Sequence, residues 1–384
     1  MTRRWELDAL RGLMLVLMIL THLPTRVAVP LGQPFGFVSA AEGFVMLSAY
    51  VAGTVYTLRA RRDGERTMRE AFLLRALKVY ACQAALLVFL FTVVTFIDML
   101  THGVDIGNLI GFYRQSPVAA GFGAALLLYN PPLLDILPMY IMFMLASPVL
   151  LLHGLHRGWT GILAGSLALW FGSQFGLGGW LYAQAVHLTG WPVPADQTGS
   201  FSTLAWQFLW VLGLWMGSTG VTRTGDARPF PPALVAAAAA YAAVCLVWRH
   251  AVGQVPFGND SPLNLLFDKW YLGPLRLLDF IALMLLAMHF APWLKGHLPR
   301  CQFLELFGAA SLTVFCCHLA LVLVALALVG EVKPERPWRI DALILVGSFA
   351  VLYGVARVQA WFTNRAVTSR CQPVQPAKPH TRAH

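Results

Sequence analysis

Long apolar stretches alternate with short polar connections along this chain, and the stretches have the length of membrane helices. A hydrocarbon core of about 30 Å is crossed by about 20 residues of helix. Ten stretches qualify: 8–28, 36–58, 71–97, 133–153, 159–176, 204–221, 232–249, 274–293, 303–329 and 339–362. The pattern predicts an all-α, polytopic membrane bundle of about ten transmembrane helices. Residues 1–362 form its single domain. Residues 363–384, with Pro373, Pro376 and Pro379, read as a disordered cytoplasmic tail. The connections 98–132, 177–203 and 250–273 are long, and loops of that length in a compact protein are often functional. No internal repeat of the kind that builds inverted-repeat transporters stands out.

Composition sharpens this picture. Of 384 residues, 58% are apolar and 12% are charged, about half the roughly 25% charge of soluble domains. So few charges cannot shield that much apolar side chain from water, which excludes a disordered chain and an ordinary soluble enzyme. The net charge of +10 would suit nucleic acid, but the basic residues are not placed for it. With the N-terminus inside, the inner connections hold about twice as many Lys and Arg as the outer ones, which sets an N-in/C-in topology. The lipid bilayer is the expected partner, and nucleic acid is not. The six cysteines form no CxxC pair, so neither a metal site nor disulfides are expected. No cleavage site follows Arg3 and Arg4, so no signal peptide is expected either.

Against so apolar a background, each ionisable residue within a span marks a candidate site. The first span carries Asp8, Arg11 and His22. Eleven steps of about 100° bring His22 back to within roughly 20° of Arg11, roughly 16 Å further along the axis. The blander readings are snorkelling for Arg11 and an interhelical hydrogen bond for His22. In the second span, small residues at 48, 49, 52 and 53 invite close approach by another helix. They do not explain Glu42, a carboxylate suited to orienting a nearby imidazole. Arg75 and Lys78 share a face of the third span and suit either anionic lipid or a phosphate clamp, with Arg11 and Arg357 as neighbours. Asp135 opens the fourth span, and Asp268, Lys269 and Arg276 guard the outer end of the eighth. His318 lies deep in the ninth, as a catalytic group or a helix–helix hydrogen bond. The cations thus gather toward the inner surface, and His22, Glu42 and Asp135 toward the outer one.

At these residues the sequence resembles a known family. Glu6-Leu7-Asp8-Ala9-Leu10-Arg11-Gly12 through His22 is similar to the first-helix pattern of the OpgC family, membrane proteins that O-succinylate periplasmic glucans. Ser39–Gly53, Pro132–Tyr140, Leu204–Gly217, Asp268–Leu278 and Ser311–His318 follow in that family's order, so the resemblance extends to about residue 362. More widely, the chain is similar to acyltransferase-3 proteins and to the lysosomal heparan glucosaminide acetyltransferase type. In the former, an Arg followed by ten residues and a His marks the active site, and Arg11 and His22 have that spacing. A basic pair associated there with coenzyme A phosphates falls on Arg75 and Lys78. Lys78 stands where those relatives carry Arg, and a Lys holds phosphate without bidentate geometry.

The resemblance implies a multi-pass O-acyltransferase of the bacterial inner membrane. Its donor would be acyl-CoA (succinyl-CoA or acetyl-CoA) from the cytoplasm, a co-substrate and not a tightly bound cofactor. Its acceptor would be the hydroxyls of a periplasmic glucan or another polysaccharide. Arg11, Arg75 and Lys78 would hold the donor. His22 would act as general base, oriented by Glu42 and Asp135, with His318 a further catalytic candidate. Tyr140, Asp268, Lys269 and Arg276 would face substrate, Tyr140 or Arg276 stabilising the oxyanion. Two rivals stay open: a transporter of glucan, anion or protons using the same buried charges, and a non-catalytic partner that recruits glucan-modifying enzymes.

Overall fold

The computed structural model describes residues 4–101, 107–222, 229–333 and 335–370. Among the described residues all regular structure is helical and no strand occurs. Each of the ten apolar stretches lies on helix. The principal helices are α1 (Trp5–His22), α2 (Ala40–Asp63), α3 (Glu65–Phe89), α4 (Ile136–Arg157), α5 (Thr160–Gln174), α6 (Thr203–Thr222), α7 (Pro232–Val252), α8 (Pro274–His297), α9 (Gln302–Ala309), α10 (Ser311–Val329) and α11 (Trp338–Arg370). A π-helical turn over Leu90–Val94 carries α3 on into Thr95–Leu100.

Among the described residues, six helical units are long and apolar enough to cross a bilayer: α3 with its continuation, α4, α7, α8, α10 and α11. They turn large apolar side chains outward, among them Leu77, Val149, Val247 and Leu343. Such a surface is favourable against lipid tails and unfavourable against water. The chain is therefore a multi-pass helical membrane protein. The helices outside this set are α1, α2, α5, α6 and the short α9. α5 and α9 are too short, at 15 and 8 residues. Polar groups lower the apolarity of the others: α1 carries Glu6, Asp8 and Arg11, α2 ends in Arg59–Asp63, and α6 carries Gln207. Much of α2 and α6 is enclosed by other helices, and an enclosed helix need not be apolar on every face.

Glycine fixes two of the closest helix contacts. A Cβ at Gly217 of α6 would lie 2.1 Å from the Tyr50 carbonyl oxygen of α2, and one at Gly213 would lie 2.6 Å from the Ala49 Cβ. The small residues expected to admit a neighbouring backbone at 48–53 do so, and the neighbour is α6. On the other side of the bundle a Cβ at Gly12 would meet the Leu304 carbonyl oxygen at 2.0 Å. A Cβ at Gly308 would meet the Asp8 oxygen at 1.8 Å. These contacts press α1 against α9, and the motif glycine following Arg11 is part of them.

Several boundaries differ from the sequence pattern: α1 ends at His22, where the stretch ran to 28, and α2 starts at Ala40, not at 36. The ninth stretch, 303–329, is two helices that break at Ala310, next to Ser311, which receives a hydrogen bond from Arg11. The last helix continues past 362 to Arg370, because an apolar span can run on as a polar helix once outside the core. The rest of the expected tail, 371–384, lies outside the described residues. So do Arg3, Arg223 and Arg228, which entered the charge count.

Candidate functional site

Helix α1 carries Arg11 and His22 at two levels, and each meets α10. The Arg11 Nη2 donates to Ser311 Oγ at 2.7 Å. His22 Nδ1 and His318 Nε2 are 3.1 Å apart in a hydrogen bond between nearly parallel rings. Ser311 and His318 are seven residues apart, which is about two helical turns, so one face of α10 serves both. Eleven residues of α1 thus run beside seven of α10. The long Arg11 side chain spans the difference in rise.

These two levels open into two cavities. The smaller, about 30 Å³, is lined by Arg11, Arg75, Tyr140, Ser311 and Phe44 among others, space for about two water molecules. The larger, about 460 Å³, is lined by His22, Ser39, Asp135, Lys269, Trp270 and Phe201 among others. A mixed apolar and polar lining with a few convergent charged groups is the usual constitution of a ligand site.

The loops that shape the larger cleft are tied down. The segment after His22 is clamped to α11: Arg336 Nε donates to Asp341 Oδ1 at 3.0 Å, and the Arg26 amide donates to Asp341 Oδ2 at 3.2 Å. The Arg336 guanidinium also donates to the Pro24 carbonyl. Asp135 stands at the start of α4 and accepts from the Ser200 amide at 2.9 Å, joining α4 to the loop before α6. Lys269 sits on a turn organised by Asp268, whose Oδ1 accepts from the Tyr271 amide at 2.7 Å. Trp206 Nε1 donates to the Lys269 and Trp270 carbonyls, each at 3.2 Å, and Trp170 Nε1 donates to the Leu272 carbonyl at 3.0 Å. The Lys269 ammonium lies 4.7 Å from the centre of the Trp270 ring and 5.6 Å from that of Phe201. Burial pushes its pKa below the ordinary lysine value, against the opposing pull of Glu42 and Asp135.

The candidate residues therefore divide. Arg11, Arg75 and Tyr140 come together at the smaller cavity, so Tyr140 lies with the cations and apart from the cleft. Lys78 is exposed and lines neither cavity, and the same holds for Arg357. The three-residue step from Arg75 turns Lys78 just far enough to face outward. His22, Asp135 and Lys269 share the cleft. Asp268 shapes the turn beneath Lys269.

Glu42 is not the partner of His22. Its Oε2 accepts from the Ser39 amide at 3.1 Å and the Ser39 hydroxyl at 2.6 Å, closing the N-terminus of α2. Its Oε1 accepts from Arg276 Nε at 2.5 Å, and both side chains of this ion pair are fully buried. Arg276 is accordingly the counter-ion of Glu42 and lines neither cavity. The imidazole partner is His318, on a helix 296 positions away. Pattern reading missed this pairing, although the seven-residue step from Ser311 to His318 was a usable signal. It also missed Phe315, Ile136 and Trp270, apolar residues whose type carries no chemical signature.

The family model for the OpgC protein matches residues 3–364. No curated protein and no solved structure matches the chain.

Proposed function

The chain belongs to the OpgC protein family, and from that premise we propose that it is an acyl-CoA-dependent O-acyltransferase of the bacterial inner membrane. It moves an acyl group, succinyl first among candidates, from a cytoplasmic acyl-CoA to a hydroxyl of a periplasmic glucan. In this reading the bundle crosses the membrane about ten times with both termini in the cytoplasm. The Arg11–Arg75 cavity then faces the donor and the His22 cleft faces the acceptor.

One observation carries the reading: a cationic cavity and an imidazole-bearing cleft meet end to end along α1 and α10. The donor's phosphates are held at the rim of the first by Arg75, as charge-assisted hydrogen bonds require. At about 30 Å³ the cavity admits no more than the narrow end of the thioester arm. In the cleft, an acceptor sugar lies against Trp270, whose ring offers an apolar face beside the Lys269 ammonium. With Nδ1 of His22 engaged by His318, Nε2 is the nitrogen left to meet a hydroxyl. For Nε2 to accept a proton, Nδ1 must carry its hydrogen and donate it to His318 Nε2. His22 Nε2 then takes the hydroxyl proton as the sugar oxygen attacks the thioester carbonyl. The carbon–sulfur bond breaks, and the departing CoA thiolate receives that proton.

The test uses membrane vesicles with labelled succinyl-CoA at the cytoplasmic face and glucan at the other. Label is expected on the glucan as an alkali-labile ester. Glucan transport without CoA release would overturn the reading. Mass spectrometry of periplasmic glucans from a deletion strain checks the acceptor, and unchanged ester substituents would exclude glucan.

A further inference from the structure

The two cavities have lining residues of their own with two exceptions: among the described residues, Phe315 and Ile136 line both. Phe315 is buried on α10 and its ring stacks on Phe44 of α2 with centroids 5.9 Å apart. The same ring meets His318 edge-on, with centroids 5.0 Å apart. The ring therefore touches Phe44 of the cationic cavity and His318 of the histidine pair, and borders both cavities. Ile136, the first residue of α4, closes the same wall from the opposite helix.

We propose that Phe315, backed by Ile136, is the partition between the two cavities, and that turning its ring off Phe44 joins them into one passage. A phenylalanine suits the task because its side chain turns about two torsions and leaves no polar group unsatisfied on either side. While the partition is shut, water in the 460 Å³ cleft has no path to the cationic cavity, so a thioester waiting there is protected from hydrolysis. Opening is required for the acyl carbon to come within reach of His22. The role toward an acyl arm rests on the acyltransferase reading; the partition itself does not.

The experiment reads the partition without any acyl transfer. Thr21→Cys places a reporter thiol in the cleft wall, in a chain whose six native cysteines are replaced by alanine. A membrane-impermeant thiol reagent is applied to each face of sealed vesicles in turn. With Phe315 present, the reporter is labelled from one face only. With Phe315→Ala it is labelled from both, at least tenfold faster from the second face than before. Ile136→Ala is the companion variant, expected to open the same route more narrowly. Labelling from the first face at the parental rate reports that each variant is folded. Variants that pass this check and stay closed at the second face overturn the partition. A parent protein with one-faced labelling but no acyl transfer would instead overturn the acyltransferase reading and leave the partition standing.

Discussion

Glu42→Gln removes the counter-charge of Arg276 while keeping the side-chain volume. Both groups are fully buried, with Arg276 Nε 2.5 Å from Glu42 Oε1. Among the described residues the terminal guanidinium nitrogens have no hydrogen-bond partner, so the charge depends heavily on this contact. Removing one member of a buried pair costs about 3–5 kcal/mol, because the other charge stays desolvated. Glutamine still offers an acceptor to Arg276, and it is tolerated at the third position of a capping box, so the expected loss is about 3 kcal/mol. Arg276→Met should cost a similar amount, since it strands the carboxylate with only the Ser39 donors. The double variant should recover most of the loss, as replacing a whole buried pair by neutral groups is often close to neutral. Reversible unfolding in mixed micelles with rising SDS gives the three free energies, and the cycle gives the coupling. A Glu42→Gln loss below about 0.5 kcal/mol, or strict additivity in the double variant, would refute this reasoning. So would unchanged stability with abolished activity, the outcome expected had Glu42 been the partner of His22.

Three further outcomes are expected. His22→Ala should lower acyl transfer by about 10²–10⁴-fold, the range for a lost general base, and His318→Gln should lower kcat by less with KM for donor unchanged; equal losses in both would make His318 a base in its own right. Arg75→Ala should raise the apparent KM for acyl-CoA with little change in kcat, whereas Lys78→Ala, at an exposed position off the cavity, should leave both near the parental values in the same initial-rate assay. Burial lowers the Lys269 pKa, so between that lowered value and about 10.4 the unfolded chain binds a proton that the folded chain has released. Stability should therefore rise with pH across that window and be flat with respect to this group below it; unfolding profiles of the parent and Lys269→Met that stay parallel to pH 10 would contradict this.

The fold was largely legible because a bilayer imposes a simple rule, about 20 apolar residues per crossing, and all ten stretches are helical. Legibility failed where burial inside the protein replaces burial in lipid. The stretches of α1, α2 and α6 read as crossings by their pattern, yet these helices stand outside the six most apolar ones, since neighbouring helices cover their polar faces. The break at Ala310 is marked only by Gly308 and Ser311, small residues that are equally at home inside a membrane helix. Gly12 follows Arg11 in the motif, but its task, admitting the Leu304 carbonyl oxygen at a distance no Cβ tolerates, is set by the neighbouring helix and leaves no mark in the local sequence.

Of the cations the sequence singles out, Arg11 and Arg75 meet at one cavity while Lys78 and Arg357 face outward. The pairings were opaque for a physical reason. An ionisable group in an apolar span must be satisfied by something, so its presence flags a site, but the group that satisfies it is chosen by three-dimensional packing. Glu42 and His22 were matched because both lie toward one end of adjacent spans. Arg276 competes for the same carboxylate with a full opposite charge in a dry setting, where a carboxylate–guanidinium contact outweighs a hydrogen bond to a neutral ring. His22 is then left to an uncharged partner, and His318 supplies one without adding a charge beside the base. A carboxylate in that place would favour the imidazolium and hold the proton. A second imidazole can orient the ring without adding a charge. On the proposed acyltransferase reading, an imidazole partner suits a His22 that must take a proton and then release it to the thiolate.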